Sequence, residues 1–497
     1  MKFITEAERQ LPVIWEPDVL VVGAGPAGIG AAISAARNGA DTLLLERYGF
    51  IGGNLTIAMV NPMFTFHDTE GRQVIKGIAG ELVDRLVELK LSDGHVTDLT
   101  FDNASMTPFD PEGMKILLLR MVQESGAKLL LHTQVAGAIR EADRITAVII
   151  ESKSGRQAIV PKYVIDCSAD ADIVARVGAP FVLGRKEDGM MQPVTLFFRI
   201  GGIDNEGMRR WMKEHREVLK DSPTDEEIDG QDAIAFLGMN ALITQAVARG
   251  EFPRDAAPRI LFYQLPQHDQ VAVNVTRLQG IDGTNISDLT RAELLTREQA
   301  WGVHRFLKKY IGGFERSYVL DTGVQVGIRE TRHIVGDYEL TEQDVLSGAA
   351  FPDGIACGTF AIDIHPPEGQ TQIFSGSGKS VYEIPYRCLL PQGLTNLWVA
   401  GRCISATHAA FGSARVMATS MAMGQGAGTA AALAAAAGAT TREVDTAVLR
   451  KKLVSQGQYL LGEQIDPTIN EKLILKRSSG SGEKAAHYNP FDKGKKQ

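Results

Sequence analysis

The amino-acid sequence predicts an α/β fold built on a parallel sheet, with a mixed α+β region inserted into it. Three observations predict this class. The chain begins with an apolar strand, a glycine-rich turn, a small-residue helix and a second apolar strand. Alternating apolar and polar residues at 135–161 predict a small antiparallel meander. After a stretch of different composition, a buried strand at 396–400 and a long small-residue helix at about 414–437 return to the opening pattern.

The glycine turn contains the strongest local motif. Gly23-Ala-Gly25-Pro-Ala-Gly28 follows the strand predicted at 18–22 and opens the helix predicted at 26–38. In that context a GxGxxG motif predicts a Rossmann-type dinucleotide-binding domain. Gly23 permits the tight turn, Gly25 lets a pyrophosphate approach the backbone, and Gly28 lets helix and strand pack closely. The free N–H groups of the helix N-terminus would bind the phosphates.

An acidic residue at the end of the second strand limits which dinucleotide this site can bind. Glu46 lies 18 residues after Gly28, at the end of the strand predicted at 42–46. Its carboxylate can accept both ribose hydroxyls of an adenosine and would repel a 2′-phosphate, which argues against NADP. The later run from Gly424 to Gly428 imitates a second fingerprint, but it lies inside a helical pattern and predicts close helix packing instead.

Three features favour FAD over NAD. Arg47 directly follows the acid, and Gly52-Gly53-Asn54 supplies a second glycine-rich turn along which an extended flavin could pass. Far downstream, the strand at 396–400 ends at Gly401 and feeds a helix that starts near 411–418. A helix N-terminus directed at the flavin pyrimidine would stabilise negative charge as the flavin is reduced.

Several long motifs in order resemble the glutathione-reductase-type FAD-binding superfamily. Over about 18–438 the chain is most similar to the bacterial FAD-dependent oxidoreductase family related to fumarate reductase and succinate dehydrogenase flavoproteins. The matching stretches are VVGAGPAGIGAA, ERYGFIGGNLT, VIDCSADADIVARVGAP, GIRETRHIVGDYELT, YEIPYRCLLP and NLWVAGRCISATHAAFGSARVMATSMAMGQGAG. The resemblance implies FAD contacts at Gly23, Gly25, Gly28, Glu46, Arg47, Gly53, Asn54, Val135, Asp170, Gly401 and Arg402. Met417, at the late helix, is a further predicted FAD contact.

The middle motif departs from that family in one place. Ser168-Ala169 precede Asp170, where the family has Thr-Gly. We therefore do not infer the backbone contact between this turn and FAD from the resemblance. The fold is still inferred from it.

Two histidines are candidates for moving the proton that accompanies flavin chemistry. His365 ends an apolar strand-like run, and Asp363 at i, i+2 would share its face of the strand and orient the imidazole. His408 lies between the last strand and the late helix. The alternative for both is a core histidine bonded to the backbone.

Arginines supply candidate substrate contacts. Arg329 and Arg332, at i, i+3, would share one face of a helix. A guanidinium fork can hold a carboxylate or polarise a carbonyl, and the resemblance implies that arginines hold substrate carboxylates. The alternative is that they pair with neighbouring acids, Glu330, Asp337 or Glu339. Weaker candidates are Arg277, Asp321 and Tyr386.

The predicted elements divide the chain into four parts. Helix-rich stretches at 205–250 and 287–312 flank strands predicted at 259–265 and 270–276, which indicates a substrate or cap domain. The tail is rich in Ser, Gly, Lys and Pro and is expected to be flexible. The expected division is a discontinuous FAD-binding domain at 1–185 and 381–445, an inserted cap domain at 186–380, a C-terminal helical segment at 446–476 and a tail at 477–497.

Composition excludes several function classes. The net charge of −8 gives no general basic footprint for nucleic acid. The four cysteines are scattered without metal-ligand spacing, so no metal site is expected. The sequence has no signal peptide or membrane-spanning run, which predicts a cytoplasmic protein without membrane contact. A homo-oligomer remains open.

Together these features predict an FAD-dependent oxidoreductase. It would transfer a hydride between flavin N5 and a small polar organic substrate, such as a hydroxy, amino or enoyl compound, with an unspecified electron donor or acceptor. Two alternatives remain: a flavin-dependent monooxygenase or halogenase that needs an external reductant, and a non-catalytic FAD-binding module.

Overall fold

The computed structural model describes residues 2–98, 100, 103–231, 233–365, 372–374 and 381–463 of the 497-residue chain. The tail predicted at 477–497 and residues 464–476 of the predicted C-terminal segment lie outside the described residues. Among the described residues, no helix has the length and hydropathy of a membrane span.

The strands, numbered in chain order, are β1 Val13–Trp15, β2 Val19–Val22, β3 Thr42–Leu45, β4 Met63–Phe64, β5 Val96–Thr97, β6 Ser105–Thr107, β7 Lys128–Leu130, β8 Gln134–Glu141, β9 Arg144–Ser152, β10 Gly155–Ile159, β11 Tyr163–Asp166, β12 Phe181–Leu183, β13 Phe198–Gly201, β14 Ala235–Gly238, β15 Ile260–Gln264, β16 Gln270–Val273, β17 Tyr318–Thr322, β18 Arg332–Ile334, β19 Gly354–Gly358, β20 Ile362–Ile364, β21 Gln372–Phe374, β22 Tyr382–Pro385 and β23 Leu397–Val399.

The helices are α1 Pro26–Arg37, α2 Ile78–Glu88, α3 Pro111–Glu124, α4 Asp172–Arg176, α5 Asn205–Glu214, α6 Asp225–Asp229, α7 Asn240–Ala248, α8 Ile286–Tyr310, α9 Glu342–Ser347, α10 His408–Ala414, α11 Met417–Ala437 and α12 Thr446–Ser455. Short 3₁₀ turns lie at Gly53–Leu55, Arg216–Val218 and Tyr386–Leu389.

A five-stranded parallel sheet, in the order β23-β11-β2-β3-β7, forms the centre of the fold. Because side chains alternate along a strand, its two faces enter different cores. Val19 and Val21 pack on the helices, whereas Leu20 and Val22 pack on the meander β8-β9-β10. The predicted α/β class, with a Rossmann-type parallel sheet and an antiparallel meander, is confirmed.

The close contact between α1 and α11 depends on missing side chains. A Cβ atom on Gly424 would lie 1.9 Å from the Ala27 carbonyl oxygen, and one on Gly428 would lie 2.1 Å from that of Ala31. A Cβ on Gly30 would lie 2.3 Å from the carbonyl oxygen of Met421. The interpretation of the late glycine run as a packing motif is therefore confirmed.

A second sheet, antiparallel and in the order β14-β15-β16-β13-β17, has its own apolar core against α5, α7 and α8. The strands and helices predicted between 205 and 312 are present, but β14 interrupts a stretch predicted to be helix-rich. From Ile334 of β18 the chain packs on the meander side of the parallel sheet again, and from Leu340 it packs on the helical side. The proposed domain boundaries remain a prediction.

The long helix predicted at about 414–437 is confirmed as α11, Met417–Ala437, and a separate short helix, α10, which was not predicted, precedes it. The backbone of Val416 is extended (φ −68°, ψ 154°) and separates α10 from α11. The side chain of Arg415 at this break reaches Asp363 on β20, a contact that no local pattern shows. As a result α11 starts with a first turn that no side chain caps.

Candidate active site

The glycine turn after β2 provides a cradle with one open position. A Cβ on Gly28 would lie 1.8 Å from the Gly23 carbonyl oxygen, and one on Gly23 (φ +93°) would lie 2.6 Å from that of Cys167. A Cβ on Gly25 would meet only the Cα of Gly53, at 3.9 Å. The turn is therefore packed at its first and last glycines and accessible at the middle one, as the approach of a pyrophosphate requires.

Glu46 at the end of β3 holds this turn in place. Its carboxylate accepts hydrogen bonds from the backbone N–H of Ala24 (3.0 Å) and of Tyr48 (3.1 Å). Burial of the side chain raises the pKa of Glu46, against the effect of these hydrogen bonds. The neighbouring Arg47 is exposed and donates to the Gln325 side chain at 2.8 Å.

Unsatisfied donors around the cradle fit an FAD molecule. No side chain caps α1 at Gly25 or α11 at Val416, so the first N–H groups of both helices are available to ligand oxygens. Nη1 of Arg402 is buried and has no acceptor among the described residues. Gly401, which precedes it, has φ +100° and lies against Ala27 of α1. Met417, the first residue of α11, is buried at the same end.

Asp170 forms the other wall of the cradle. It is ion-paired with Arg402 and accepts a hydrogen bond from Thr331 Oγ1 at 2.7 Å. The residue before it, Ala169, has φ +71°, a conformation that favours glycine. Alanine thus occupies the family's glycine position in the left-handed conformation. Val135, the remaining predicted contact, lies on β8 and its carbonyl accepts from Arg176 at 3.1 Å.

Arg332 belongs to this wall and not to a helix. It is the first residue of β18 and donates to the Asp170 carbonyl (2.8 Å) and to Asp172 (3.2 Å). Arg329 lies in the irregular segment before the strand. The prediction that the two arginines share one helix face is wrong, because the chain here is extended and paired with β12.

The predicted pair of Asp363 and His365 is confirmed in geometry. His365 Nε2 lies 3.0 Å from Asp363 Oδ2, and Arg415 Nη2 lies 3.2 Å from the same oxygen. Burial opposes ionisation of Asp363, but His365, Arg415 and Arg329 outweigh it and keep its pKa below the usual range. Burial, despite Asp363, lowers the pKa of His365 to about 4, so the imidazole is neutral at pH 7.

Arg329 adds positive charge to this pair. Its Nη1 donates to the Pro193 carbonyl at 2.6 Å. Burial, together with the charges of Arg415, Arg277 and Arg259, lowers the pKa of Arg329 to about 9, and it stays protonated at neutral pH. Four arginines and two ionised carboxylates, Asp363 and Glu330, meet here, which leaves a local excess of positive charge that an anionic ligand would offset.

His408 belongs to a separate cluster that was not predicted. Its Nδ1 lies 2.8 Å from Glu330 Oε1, and His333 Nε2 lies 3.1 Å from the same oxygen. The backbone N–H of Gln192 donates to the other oxygen at 3.0 Å. Glu330 therefore bonds two histidines. It does not pair with Arg329 or Arg332, although the ion-pairing alternative proposed that it would. The i, i+3 spacing of Glu330 and His333 was the only sequence signal.

The weaker candidates have structural partners. Asp321 is ion-paired with Arg199 across the second sheet. The hydroxyl of Tyr386 donates to the Thr441 carbonyl at 2.7 Å and accepts from Trp398 Nε1. These contacts account for both residues without a ligand.

Comparisons with known proteins show the family of the chain. A family model described as FAD dependent oxidoreductase matches residues 18–453. The chain is 32% identical over 171 residues to thiamine thiazole synthase of Methanococcus vannielii, covering 32% of this chain and 59% of that protein. It is 30% identical over 177 residues to digeranylgeranylglycerophospholipid reductase 1 of Methanopyrus kandleri, covering 33% of this chain and 41% of that one. Its structure overlaps a geranylgeranyl bacteriochlorophyll reductase-like protein from Thermoplasma acidophilum with a TM-score of 0.43 at 13% identity, covering 90% and 84% of the two chains.

Proposed function

Because the chain belongs to the FAD dependent oxidoreductase family and is an FAD-dependent enzyme, we propose that it oxidises or reduces a small polar organic anion held beside Asp363 and His365. FAD, when bound, supplies a hydride donor or acceptor at flavin N5. The observation that carries the proposal is the buried Asp363–His365 pair within a group of arginines.

Different residues of this chain would bind the substrate, transfer the proton and bind FAD. Arg329 and Arg415 would hold the anion, because buried guanidinium groups bind carboxylates through charge-assisted hydrogen bonds. Asp363 accepts from Nε2 of His365 and so fixes the orientation of the ring. His365 would exchange a proton with the substrate. Glycines 23, 25 and 28, with Glu46 and Asp170, would hold the dinucleotide.

The proposal is tested by replacing the imidazole. His365→Asn should slow anaerobic flavin reduction, or its reverse, about 10²–10⁴-fold, which is the usual contribution of a positioned acid or base. The flavin content should stay unchanged, because the predicted FAD contacts lie elsewhere. His268→Asn, at an exposed histidine, is the matched control and should react as the wild type.

The readout is bleaching of the yellow protein in stopped flow with small hydroxy, amino and unsaturated carboxylates. If no small anion exchanges electrons with the flavin, the proposal fails. Rapid oxygen consumption dependent on NADH or NADPH would then support the monooxygenase or halogenase alternative.

A further inference from the structure

Gln192 lies at the junction of the two histidine–carboxylate clusters. Its backbone N–H donates to Glu330 at 3.0 Å, and its side-chain Oε1 accepts from the backbone N–H of His365 at 3.3 Å. The next residue, Pro193, accepts the hydrogen bond from Arg329. Gln192 is 1% exposed. A single segment thus contacts the proton-transfer pair, the anion-binding arginine and Glu330.

The amide nitrogen of Gln192 has no acceptor. Nε2 is buried and lacks a hydrogen-bond partner among the described residues. Nε of Arg415 is likewise buried and lacks such a partner. The amide orientation follows from its neighbour, because exchanging oxygen and nitrogen would place two donors face to face at His365. A buried, unsatisfied donor destabilises the fold, so its retention points to an acceptor supplied by a ligand.

Both unsatisfied donors belong to residues that bond the segment from Asp363 to His365. Arg415 contacts Asp363 on β20, and Gln192 contacts His365, the residue that follows the strand. One small molecule bound beside this segment would therefore supply an acceptor to each donor. A carboxylate held by the arginines accounts for only part of this set, and the amide requires another oxygen close to it.

We propose that Gln192 Nε2 binds a substrate oxygen, and that the substrate is a small carboxylate carrying a hydroxyl or carbonyl oxygen on the carbon next to the carboxylate. This inference rests on the proposed function and deepens it, since it names the substrate class of the same site. Gln192 would determine specificity for that oxygen, and Arg329 and Arg415 would hold the carboxylate.

The test compares two probes that differ in this oxygen, pyruvate and propionate, on the oxidised FAD-loaded protein. Neither probe can donate a hydride to oxidised flavin from a hydroxyl-bearing carbon, so calorimetry and the flavin absorption spectrum report binding alone. We expect pyruvate to bind at least about 10-fold more tightly, a difference of about 1.4 kcal/mol. Gln192→Glu keeps the acceptor for His365 and removes the donor, and Gln192→Leu removes both.

Both variants should reduce the preference for pyruvate to about 2-fold or less. Gln192→Leu should leave propionate affinity unchanged, whereas the added negative charge of Gln192→Glu should weaken the binding of both probes. Gln73→Leu is the matched control: this buried amide already donates to the Ile75 carbonyl at 3.1 Å, and its loss should not alter the preference.

Equal binding of the two probes to the wild type would overturn the inference and leave the proposed function intact. Failure of a yellow protein to bind either probe would overturn the anion site itself. A changed flavin reduction potential in Gln192→Leu, with the pyruvate preference retained, would show that the amide donates to the flavin and would also overturn the inference.

Discussion

At the scale of single residues, Glu330 shows how a buried charge is kept ionised. Its side chain is inaccessible to solvent, which by itself would raise the pKa of the carboxyl group. Hydrogen bonds from His333 and His408, and their charges, outweigh desolvation and bring the pKa of Glu330 down to about 2. Nδ1 of His333 has no partner among the described residues, so Glu330 is the acidic partner of this ring. Glu330 therefore orients both rings.

Replacing the Glu330 carboxylate should lower the free energy of unfolding by an amount that depends on pH. We expect Glu330→Gln to lower the free energy of unfolding by about 1–3 kcal/mol at pH 7, because buried donors lose a charged acceptor. The folded-state pKa is depressed, so the ionised carboxylate stabilises the fold fully above its ordinary pKa of 4.5, and this contribution is lost as pH falls towards about 2. Urea unfolding from pH 7 to pH 3 should show the wild type approaching the variant. A gap that stays constant with pH would contradict the assignment.

Residue roles were only partly predictable from sequence. Asp363 and His365 were predictable because a strand places i and i+2 on one face. Gln192 and Glu330 are 138 residues apart and meet only through the tertiary fold. Arg329 and Arg332 were assigned to a helix from spacing alone, whereas β12 fixes the segment in extended form.

At the scale of elements, the accuracy of prediction follows the range of the interactions that define each one. α1 and β2 were predicted nearly to the residue, because the apolar runs and the glycine turn are local. The break before α11 was missed, since the contact of Arg415 with Asp363 spans 52 residues. The strand β14 was missed because its pairing with β15 defines it more than its own composition does.

The helix contact at the cradle gives a prediction for Gly424. In Gly424→Ala the new methyl would overlap the Ala27 carbonyl, so α1 must move away from α11. We expect a loss of about 1–3 kcal/mol in unfolding free energy and weaker FAD binding, because α1 starts at the proposed pyrophosphate site. The free energy from urea unfolding and the Kd from flavin fluorescence quenching measure the two effects.

Gly80→Ala in α2 is the control for this substitution. Its Cβ would meet only the Gln73 amide nitrogen, at 3.6 Å, which is ordinary contact. Alanine favours a helix over glycine by up to about 1 kcal/mol, so this variant should be neutral or more stable. Equal effects of the two substitutions would show that the contact between α1 and α11 is not tight.

At the scale of the whole molecule, an apolar cluster joins the small sheet β4-β6-β5 to the second sheet. Val96 and Met106, from the small sheet β4-β6-β5, pack with Leu237, Leu261 and Tyr263 of the second sheet. Polar contacts cross the same boundary, including the 2.6 Å hydrogen bond from Gln267 to Asp110. The general α/β plan was predictable from periodicity, but these contacts were not, because short strands with distant partners carry little sequence signal.

This coupling predicts how FAD affects stability. A ligand that binds only the folded state stabilises it by RT ln(1 + [L]/Kd), which is about 2.7 kcal/mol at 100 times the Kd. Because the small sheet packs on the second sheet through this cluster and on the core of the parallel sheet through Met63, we expect one unfolding transition that FAD shifts upward as a unit. Differential scanning calorimetry of the stripped and reloaded protein measures this shift, and adenosine serves as a partial-ligand control with a smaller effect. Two transitions, of which FAD moves only one, would instead mean that the sheets unfold independently and that the cluster around Tyr263 contributes little to cooperativity.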